Sequence, residues 1–478
     1  MRTEDLVRLI KNKKIRGLSS NSRLVKKDFV FVAVKGARED GSKFINAALK
    51  RGAKFIVCDT QAKVGRLGKA ALIRVRDTRL ALARLAAQFY RHPSRKIKVV
   101  GITGTNGKTT ITYLLEAILK EAKFSSGVIG TINYRFKHKV IPAKNTTPGP
   151  LELQSMLARM EKEKIKYVAM EVSSHALDQE RVGKVHFHSA IFTNLTQDHL
   201  DYHKTLAGYF KAKLKLFRNL GADAFAVINN DDRCALRIKK NTRAEIITYG
   251  INNQADVMAK DIEFNVEHTE FNLLFSGIEV KFRINLIGRH NVYNFLASIA
   301  WALKAGINLK VIQSALEKFS LVPGRLERIK GKKGFCVFID YAHTDDALKN
   351  VLTALRQLSP GKIITLFGCG GERDRGKRPK MGRVATELSD FAVITSDNPR
   401  SENPRAIIKD ILRGLSKSNY CVIPDRKKAI SRSLLMAEAG DIVLLAGKGH
   451  ENYQVLKNKM IHFDDRKEVR RCLKSLNY

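Results

Sequence analysis

Residues 101–110 read Gly-Ile-Thr-Gly-Thr-Asn-Gly-Lys-Thr-Thr. An apolar, β-type run stands before them, Lys96-Ile97-Lys98-Val99-Val100. After them Ile111, Leu114, Leu115, Ile118 and Leu119 recur at the spacing of one α-helical face. Strand, glycine turn and helix N-terminus together make an anion site, because backbone N–H groups and the helix dipole converge on it. Lys108 is spaced to reach terminal phosphates and Thr109 to place its hydroxyl on Mg²⁺. The spacing departs from a strict Walker A, since Ile102 occupies the place of its first glycine, between Gly101 and Gly104. An ordinary Gly/Asn turn would have no use for Lys108-Thr109-Thr110 at the helix start. The stretch predicts a nucleoside triphosphate site in an α/β sheet.

Outward from it the same alternation continues. Tyr167–Val172 and His188–Leu195 are apolar runs, each followed by a polar loop, which argues for a mostly parallel sheet with helices on its faces. Upstream lie short β-type runs, Phe29–Val34, Phe55–Cys58 and Ala71–Val75, then a helical stretch, Leu80–Tyr90, and a break at His92-Pro93. Downstream the Pro323-Gly324 turn opens a segment in which Val337–Ile339, Lys362–Phe367, Phe391–Thr395 and Asp441–Leu445 read as buried strands. The expected architecture is α/β in three domains. Residues 1–93 form an N-terminal α/β unit, 94–322 a central P-loop ATPase-like unit, and 323–478 a C-terminal Rossmann-like unit. Ligands of open α/β sheets sit beyond the carboxyl ends of strands, so the loops should face a cleft.

Bulk properties narrow the class. With 478 residues, 44% of them hydrophobic, the chain can build several cores. No apolar run reaches the roughly 20 residues of a membrane span, and Met1–Lys14 lacks the apolar core of a signal peptide. Six cysteines stand without a Cys-x-x-Cys pair, which suits free thiols in a reducing compartment and suggests no zinc site. A cytoplasmic monomer without a membrane partner is the expectation. The net charge of +41 invites a nucleic-acid reading. Yet the basic patches, at 11–14, 330–333 and 466–474, are scattered along the chain, with no single tail, so solvated surface is the preferred reading.

Polar clusters follow the strands. Glu171-Val-Ser-Ser-His175 follows one, and Asn194-Leu-Thr-Gln-Asp198-His199-Leu-Asp201-Tyr-His203 the next. Carboxylates with phosphate oxygens suit Mg²⁺, and a histidine can complete such a site. Asp340-Tyr-Ala-His343, Gly368-Cys-Gly-Gly-Glu-Arg373-Asp374 and Asp397-Asn398-Pro399-Arg400 end three further strands. Arginines converging on a cleft are natural carboxylate clamps.

Nine segments, taken in order, carry a family resemblance. GTNGKTT (104–110), EVSSHALDQERV (171–182), NLTQDHLDYH (194–203), GRHNVYN (288–294), PGRLERI (323–329), DYAHTDDAL (340–348), GCGGERDRGKRPKMG (368–382), DNPRSENP (397–404) and AGKGHENYQ (446–454) resemble the Mur ligases, and within them the MurE group. The likeness runs from about residue 20 to 466. It implies an ATP- and Mg²⁺-dependent amide ligase of peptidoglycan synthesis, whose small-molecule substrates are UDP-MurNAc-L-Ala-D-Glu and meso-diaminopimelate.

The resemblance also implies roles, residue by residue. Gly104, Thr105, Asn106, Gly107, Lys108, Thr109 and Thr110 would cradle the phosphates, with Asn291 and Asn294 on the adenine side and Arg325 and Asp340 reaching in from the third domain. Lys108, Glu171, His199 and Lys213 would be catalytic. Thr109, Glu171, His199 and Lys213 would serve the metal, Lys213 as a CO₂-derived carbamate because Tyr209-Phe-Lys-Ala-Lys213 matches the family context. Read from residues alone, Lys213 is a surface lysine on an amphipathic helix. Ser22 and Arg23 would meet the uridine part, making 1–93 the UDP-sugar domain. Asn145, Thr146, Thr147, Ser173, Gln179 and Arg181 would meet diphosphate, sugar and peptide.

Asp397-Asn398-Pro399-Arg400 would mark diaminopimelate, its second carboxylate clamped by the arginine, and Arg373, Gly447 and Glu451 would complete the amino-acid contacts. Four positions depart from the family pattern: Asn21, Glu180, Asp345 in place of a proline, and Glu372. Asp345 is expected to loosen a loop near the nucleotide. Two alternatives remain, the same ligase using L-lysine and a nucleic-acid-dependent NTPase.

Overall fold

The strand Lys98–Thr103 lies between two parallel partners, Tyr167–Glu171 and Phe187–Phe192. A strand so placed is buried on both faces, so it reads as a continuous apolar run. It extends three residues beyond Val100, because Gly101 and Ile102 pair with Met170 and Glu171 on one side and with Ala190 and Ile191 on the other. The computed structural model describes residues 7–8, 15–36, 39–265, 267–330, 334–358, 360–457 and 459–475. Most of the N-terminal run Met1–Lys14, and residues 331–333 of the second basic patch, lie outside them.

Eleven strands form the central sheet. Its parallel middle runs Val257–Phe264, Glu245–Gly250, Phe225–Asn229, Phe187–Phe192, Lys98–Thr103, Tyr167–Glu171, Ser126–Ile129. Both wings are antiparallel, Thr269–Phe275 and Ile278–Ile284 at one end, Asn133–Phe136 and Lys139–Pro142 at the other. Side chains alternate across the sheet. Val100 and Ile102 join the core beneath the helices Lys108–Glu121 and Arg289–Lys304. Val99 and Val168 join the opposite core with the helices Pro150–Lys162 and Leu206–Arg218.

The N-terminal unit is a parallel four-stranded sheet, Gly17–Ser19, Phe29–Val32, Ala53–Asp59, Ala71–Val75. The helix Thr78–Phe89 packs on it, its first turn capped by Asp77, which accepts from Arg79 N and Leu80 N. The C-terminal unit has six strands in the order Glu327–Lys330, Cys336–Asp340, Ile442–Ala446, Ile363–Phe367, Phe391–Ile394, Tyr420–Val422. Only the first is antiparallel to its neighbour. Helices cover both faces, and a two-stranded hairpin, Tyr453–Leu456 with Lys459–His462, stands apart from the sheet.

At the junction of the last two units, Gly324 (φ +67°) and Gly449 (φ +50°) lie back to back. A Cβ on Gly324 would fall 2.1 Å from His450 N. The two main chains approach that closely because neither position carries a side chain. No helix among the described residues is long and apolar enough to cross a membrane.

Candidate active site

Gly104 and Gly107 shape the phosphate loop by necessity. A Cβ on Gly104 would lie 1.7 Å from Thr193 Oγ1, and one on Gly107 2.3 Å from Asn294 Oδ1. The residues after Phe192 fix the loop: Thr193 Oγ1 donates to Asn106 O (2.6 Å), and Asn106 N donates to Asn194 Oδ1 (2.9 Å). This use explains why the strand ends at Phe192 although the apolar run continues to Leu195. Lys108 folds back on the loop, its Nζ donating to Gly104 O (2.9 Å) and Thr105 O (2.7 Å).

Lys213 donates to the same Gly104 carbonyl from the other side, at 2.6 Å. It stands on the helix Leu206–Arg218, is 1% exposed, and lies 4.3 Å from the Tyr209 ring centre. Burial depresses its pKa strongly, with the neighbouring Lys108 charge acting the same way and Asp198 opposing. The neutral amine is therefore favoured, and that is the nucleophilic form. Burial likewise keeps His199 neutral against the pull of Asp198, with which it pairs at 3.4 Å. Asp198 stays ionised although burial opposes it, because the Lys377 ammonium faces it and His199 N donates to its Oδ1 (2.8 Å).

Glu171 ends its strand wholly buried, and every contact of its carboxylate is a donor. Oε1 accepts from Thr109 Oγ1 (3.0 Å) and Thr131 N (2.8 Å), and Oε2 accepts from Thr131 Oγ1 (2.9 Å). Thr131 also meets Thr146 Oγ1 at 3.1 Å. Sequence reasoning missed Thr131; the signal was the Gly130-Thr131 pair after the short apolar run Gly127–Ile129. Thr147 Oγ1 donates to Glu171 O (2.8 Å) and accepts from Ser173 N (3.0 Å), so loop 145–147 is tied to the same strand end. Arg181 donates to Thr147 O and, twice, to Gln179 Oε1.

These groups line one cavity of ≈ 480 Å³ between the middle and C-terminal units. It brings together Gly104, Thr105, Asn106, Gly107, Lys108, Thr109, Asn145, Thr146, Thr147, Glu171, Ser173, Arg181, His199, Lys213 and Arg325 with Arg373, Asp397, Asn398, Arg400, Gly447 and Glu451. It does not include every expected residue. Thr110 is buried in its helix, and Asn291 and Asn294 are buried behind the loop, Asn294 donating to Asn291 Oδ1. Gln179 and Pro399 are not on the lining. Ser22 and Arg23 sit on a short turn of the N-terminal unit, away from this cavity, Ser22 buried and Arg23 exposed. Asp340 is also off the lining. Its carboxylate accepts from Leu326 N and Ala342 N, both at 2.7 Å, and so sets the loops that carry Arg325 and His343.

From the C-terminal unit, Arg325 Nη2 donates to Thr109 Oγ1 (3.2 Å). His343 is pushed down to about 4 by burial and by Lys377, which keeps it neutral. Glu451 Oε2 accepts from Asn398 Nδ2 (2.8 Å). Arg400, at φ +53°, directs Nη1 to Gly371 O (2.5 Å). Among the described residues no three His, Cys, Asp or Glu side chains converge closely enough to hold a metal ion by themselves. Thr109 beside Glu171 does fit an ion that keeps water and phosphate oxygens in its shell, as Mg²⁺ does. Asp345 does not loosen its loop: it is the first residue of the helix Asp345–Arg356, where a carboxylate favours the dipole, and Thr344 caps that helix.

Comparison with known proteins places the chain among relatives. Residues 14–90 match the Mur ligase family catalytic domain, 102–302 the Mur ligase middle domain, and 324–449 the Mur ligase glutamate ligase domain. The UDP-N-acetylmuramoyl-L-alanyl-D-glutamate–2,6-diaminopimelate ligase 1 of Clostridium acetobutylicum is 45% identical over 467 residues, covering 97% of this chain and 96% of that one. The similarly named ligase of Geobacter sulfurreducens is 44% identical over 502 residues, 98% of each. A solved structure of a ligase of that name superposes with a TM-score of 0.69 at 34% identity, covering 97% of this chain and 96% of the other. MurF from Acinetobacter baumannii shares the fold at 23% identity, with a TM-score of 0.65 over 90% of each chain. Matched by three Mur ligase family models in chain order and 44–45% identical to these ligases over nearly its whole length, the chain belongs to the Mur ligase family.

Proposed function

We propose that this chain is the ATP-dependent ligase that joins meso-diaminopimelate to the γ-carboxylate of D-Glu in UDP-MurNAc-L-Ala-D-Glu, in cytoplasmic peptidoglycan precursor synthesis. The observation that carries the reading is a single cavity lined both by the phosphate loop and by Asp397, Asn398, Arg400 and Glu451. Relatives aligned over nearly the whole chain bear the name of that ligase.

The chemistry follows from what the cavity can bind. A carboxylate is a poor electrophile, so the γ-phosphoryl group of ATP is passed to it, giving an acyl phosphate and ADP. The neutral amine then attacks the acyl carbon, phosphate leaves with the C–O bonding pair, and the nitrogen gives up one proton to become the amide. Phosphoryl transfer needs positioning and cationic stabilisation more than covalent help. Lys108 and Arg325 supply cations at the loop, and the backbone N–H groups at the helix start, Lys108 and Thr109, would face the phosphates. Thr109 and Glu171 would hold Mg²⁺, which neutralises charge on the transferring group. Asn291 and Asn294 back the adenine side.

At the other end, Arg400 takes the distal carboxylate of diaminopimelate and Glu451 its distal ammonium, so L-lysine, which has no distal carboxylate, leaves the half-buried Arg400 cation without its partner. Asn145, Thr146, Thr147, Ser173, Gln179 and Arg181 hold the muramyl-peptide portion, and Ser22 and Arg23 its uridine end. The buried neutral amine of Lys213 takes up CO₂, releasing one proton, and the carbamate adds negative charge beside Lys108 and His199. Its remaining N–H can still donate to Gly104 O. Unit limits at 93 and 322 are supported by the His92-Pro93 break and the Pro323-Gly324 turn.

The test is phosphate release by the purified protein with ATP, Mg²⁺ and UDP-MurNAc-L-Ala-D-Glu, comparing meso-diaminopimelate with L-lysine. Turnover with the first alone is expected. Turnover with lysine would overturn the specificity, and turnover only on adding DNA or RNA would overturn the ligase.

A further inference from the structure

Lys448 follows Gly447 in the loop beyond the strand Ile442–Ala446, and its side chain is completely inaccessible. It does not line the cavity. Its Nζ donates to Tyr453 O (2.5 Å) and stands 3.4 Å from Glu451 Oε2. A buried ammonium is costly unless paired, and an apolar side chain would fill the same space at no electrostatic cost. Both of its partners belong to the amino-acid end of the cleft.

One partner is Glu451 itself. The other is the strand Tyr453–Leu456, and that strand holds the Asp397–Arg400 loop bond by bond. Gln454 Nε2 donates to Asp397 O (2.6 Å) and Val455 N to Asn398 Oδ1 (2.9 Å). Arg400 N donates to Val455 O (3.0 Å), and Lys457 N to Arg400 O (2.7 Å). Arg400 sits at φ +53°, a conformation a non-glycine residue keeps only when its surroundings impose it.

We propose that Lys448 is a positioning residue, whose buried ammonium pairs with Glu451 and anchors the strand Tyr453–Leu456, so that recognition of both distal groups of the diamino acid rests on a side chain the substrate does not touch. This rests on the functional reading above. The groups facing Glu451 are Asp397, the Asn398 amide, Lys448 and the Tyr453 hydroxyl at 3.5 Å, with Arg426 and Tyr341 also within its field. Burial and Asp397 push the Glu451 carboxyl up; Lys448 and Asn398 pull it down. Without Lys448, Glu451 takes up a proton as pH falls and can no longer pair with an ammonium.

The experiment is Lys448→Met, read as KM for each substrate between about pH 6 and about pH 9, a range that spans the raised values buried glutamates reach. KM for diaminopimelate should rise at least about tenfold near neutrality and fall back at high pH, with KM for ATP and for the UDP-substrate unchanged. The preference over L-lysine should narrow. Lys448→Arg should keep the wild-type pH profile. Lys448→Met/Glu451→Gln leaves no unpaired buried charge. It should fold even if the single variant does not, lose the pH dependence, and discriminate against lysine less than Glu451→Gln alone. An unchanged or pH-independent KM in Lys448→Met, or equal discrimination by the double variant and Glu451→Gln, overturns the inference alone. A wild-type protein inactive with diaminopimelate overturns the reading beneath it, and this inference with it.

Discussion

Two lysine side chains meet one carbonyl at the phosphate loop, since Lys108 and Lys213 both donate to Gly104 O. Only the first is legible as a functional residue from its neighbours in sequence. Lys213 occupies an amphipathic helix in a position that spacing alone reads as surface, and tertiary packing buries it against Tyr209. The family context was needed to single it out, and its burial supplies the physical reason such a lysine could react with CO₂. Lys213→Ala should lose activity by about a hundredfold or more, as removal of a metal-site group does, and recover part of it with formate or acetate. Full activity without rescue would remove the carbamate. Thr131 was illegible for the opposite reason: its importance lies in two bonds to Glu171, which no local pattern announces.

Among the elements, periodicity located the strand before the phosphate loop and the helix after it, because burial on both sheet faces writes a strong apolar signal. Ends were less legible. The strand Phe187–Phe192 stops where Thr193 and Asn194 turn to bind the loop, and that demand comes from a segment nearly ninety residues earlier. The antiparallel wings escaped notice because Thr269–Phe275 and its neighbours expose one face and alternate polar with apolar residues. The helix Arg289–Lys304 shows how core and site share an element. Its first turns carry Asn291 and Asn294, and near its end the chain's single tryptophan, Trp301, donates to Ser189 Oγ (2.8 Å) and meets Tyr167 edge-on. Trp301→Ala should cost roughly 3–5 kcal/mol and leave the Ser189 hydroxyl unpaired. Urea unfolding followed by far-UV circular dichroism would show it as a lower midpoint for the transition of the central unit. A midpoint within error of wild type would mean that the core closes around the gap.

For the whole molecule, three-unit α/β organisation was readable from the order of motifs, whereas the contacts between units were not. Asn106 Nδ2 donates to Asp346 Oδ2 (2.9 Å), Lys380 Nζ to Gln197 Oε1 (2.6 Å), and Arg325 reaches Thr109. Each joins the C-terminal unit to the middle one through residues beside the phosphate loop. A single such bond is worth about 1 kcal/mol net, so Asp346→Ala should shift the balance of open and closed arrangements roughly fivefold. Small-angle scattering of the substrate-free protein should report a larger radius of gyration for the variant. Superimposable curves would show that Asn106 and Asp346 do not hold the units together. The charge of +41 has no comparable focus.

The back-to-back glycines at 324 and 449 give this arrangement a mechanical meaning. Gly324 lies next to Arg325, and Gly449 lies between Lys448 and His450. With no side chain between the two main chains, the strand entry at Arg325 and the loop that carries Glu451 rest directly on one another. Arg325 at the phosphate end and Glu451 at the amino-acid end thereby share one seam, and a methyl group at either glycine would be a wedge driven into it.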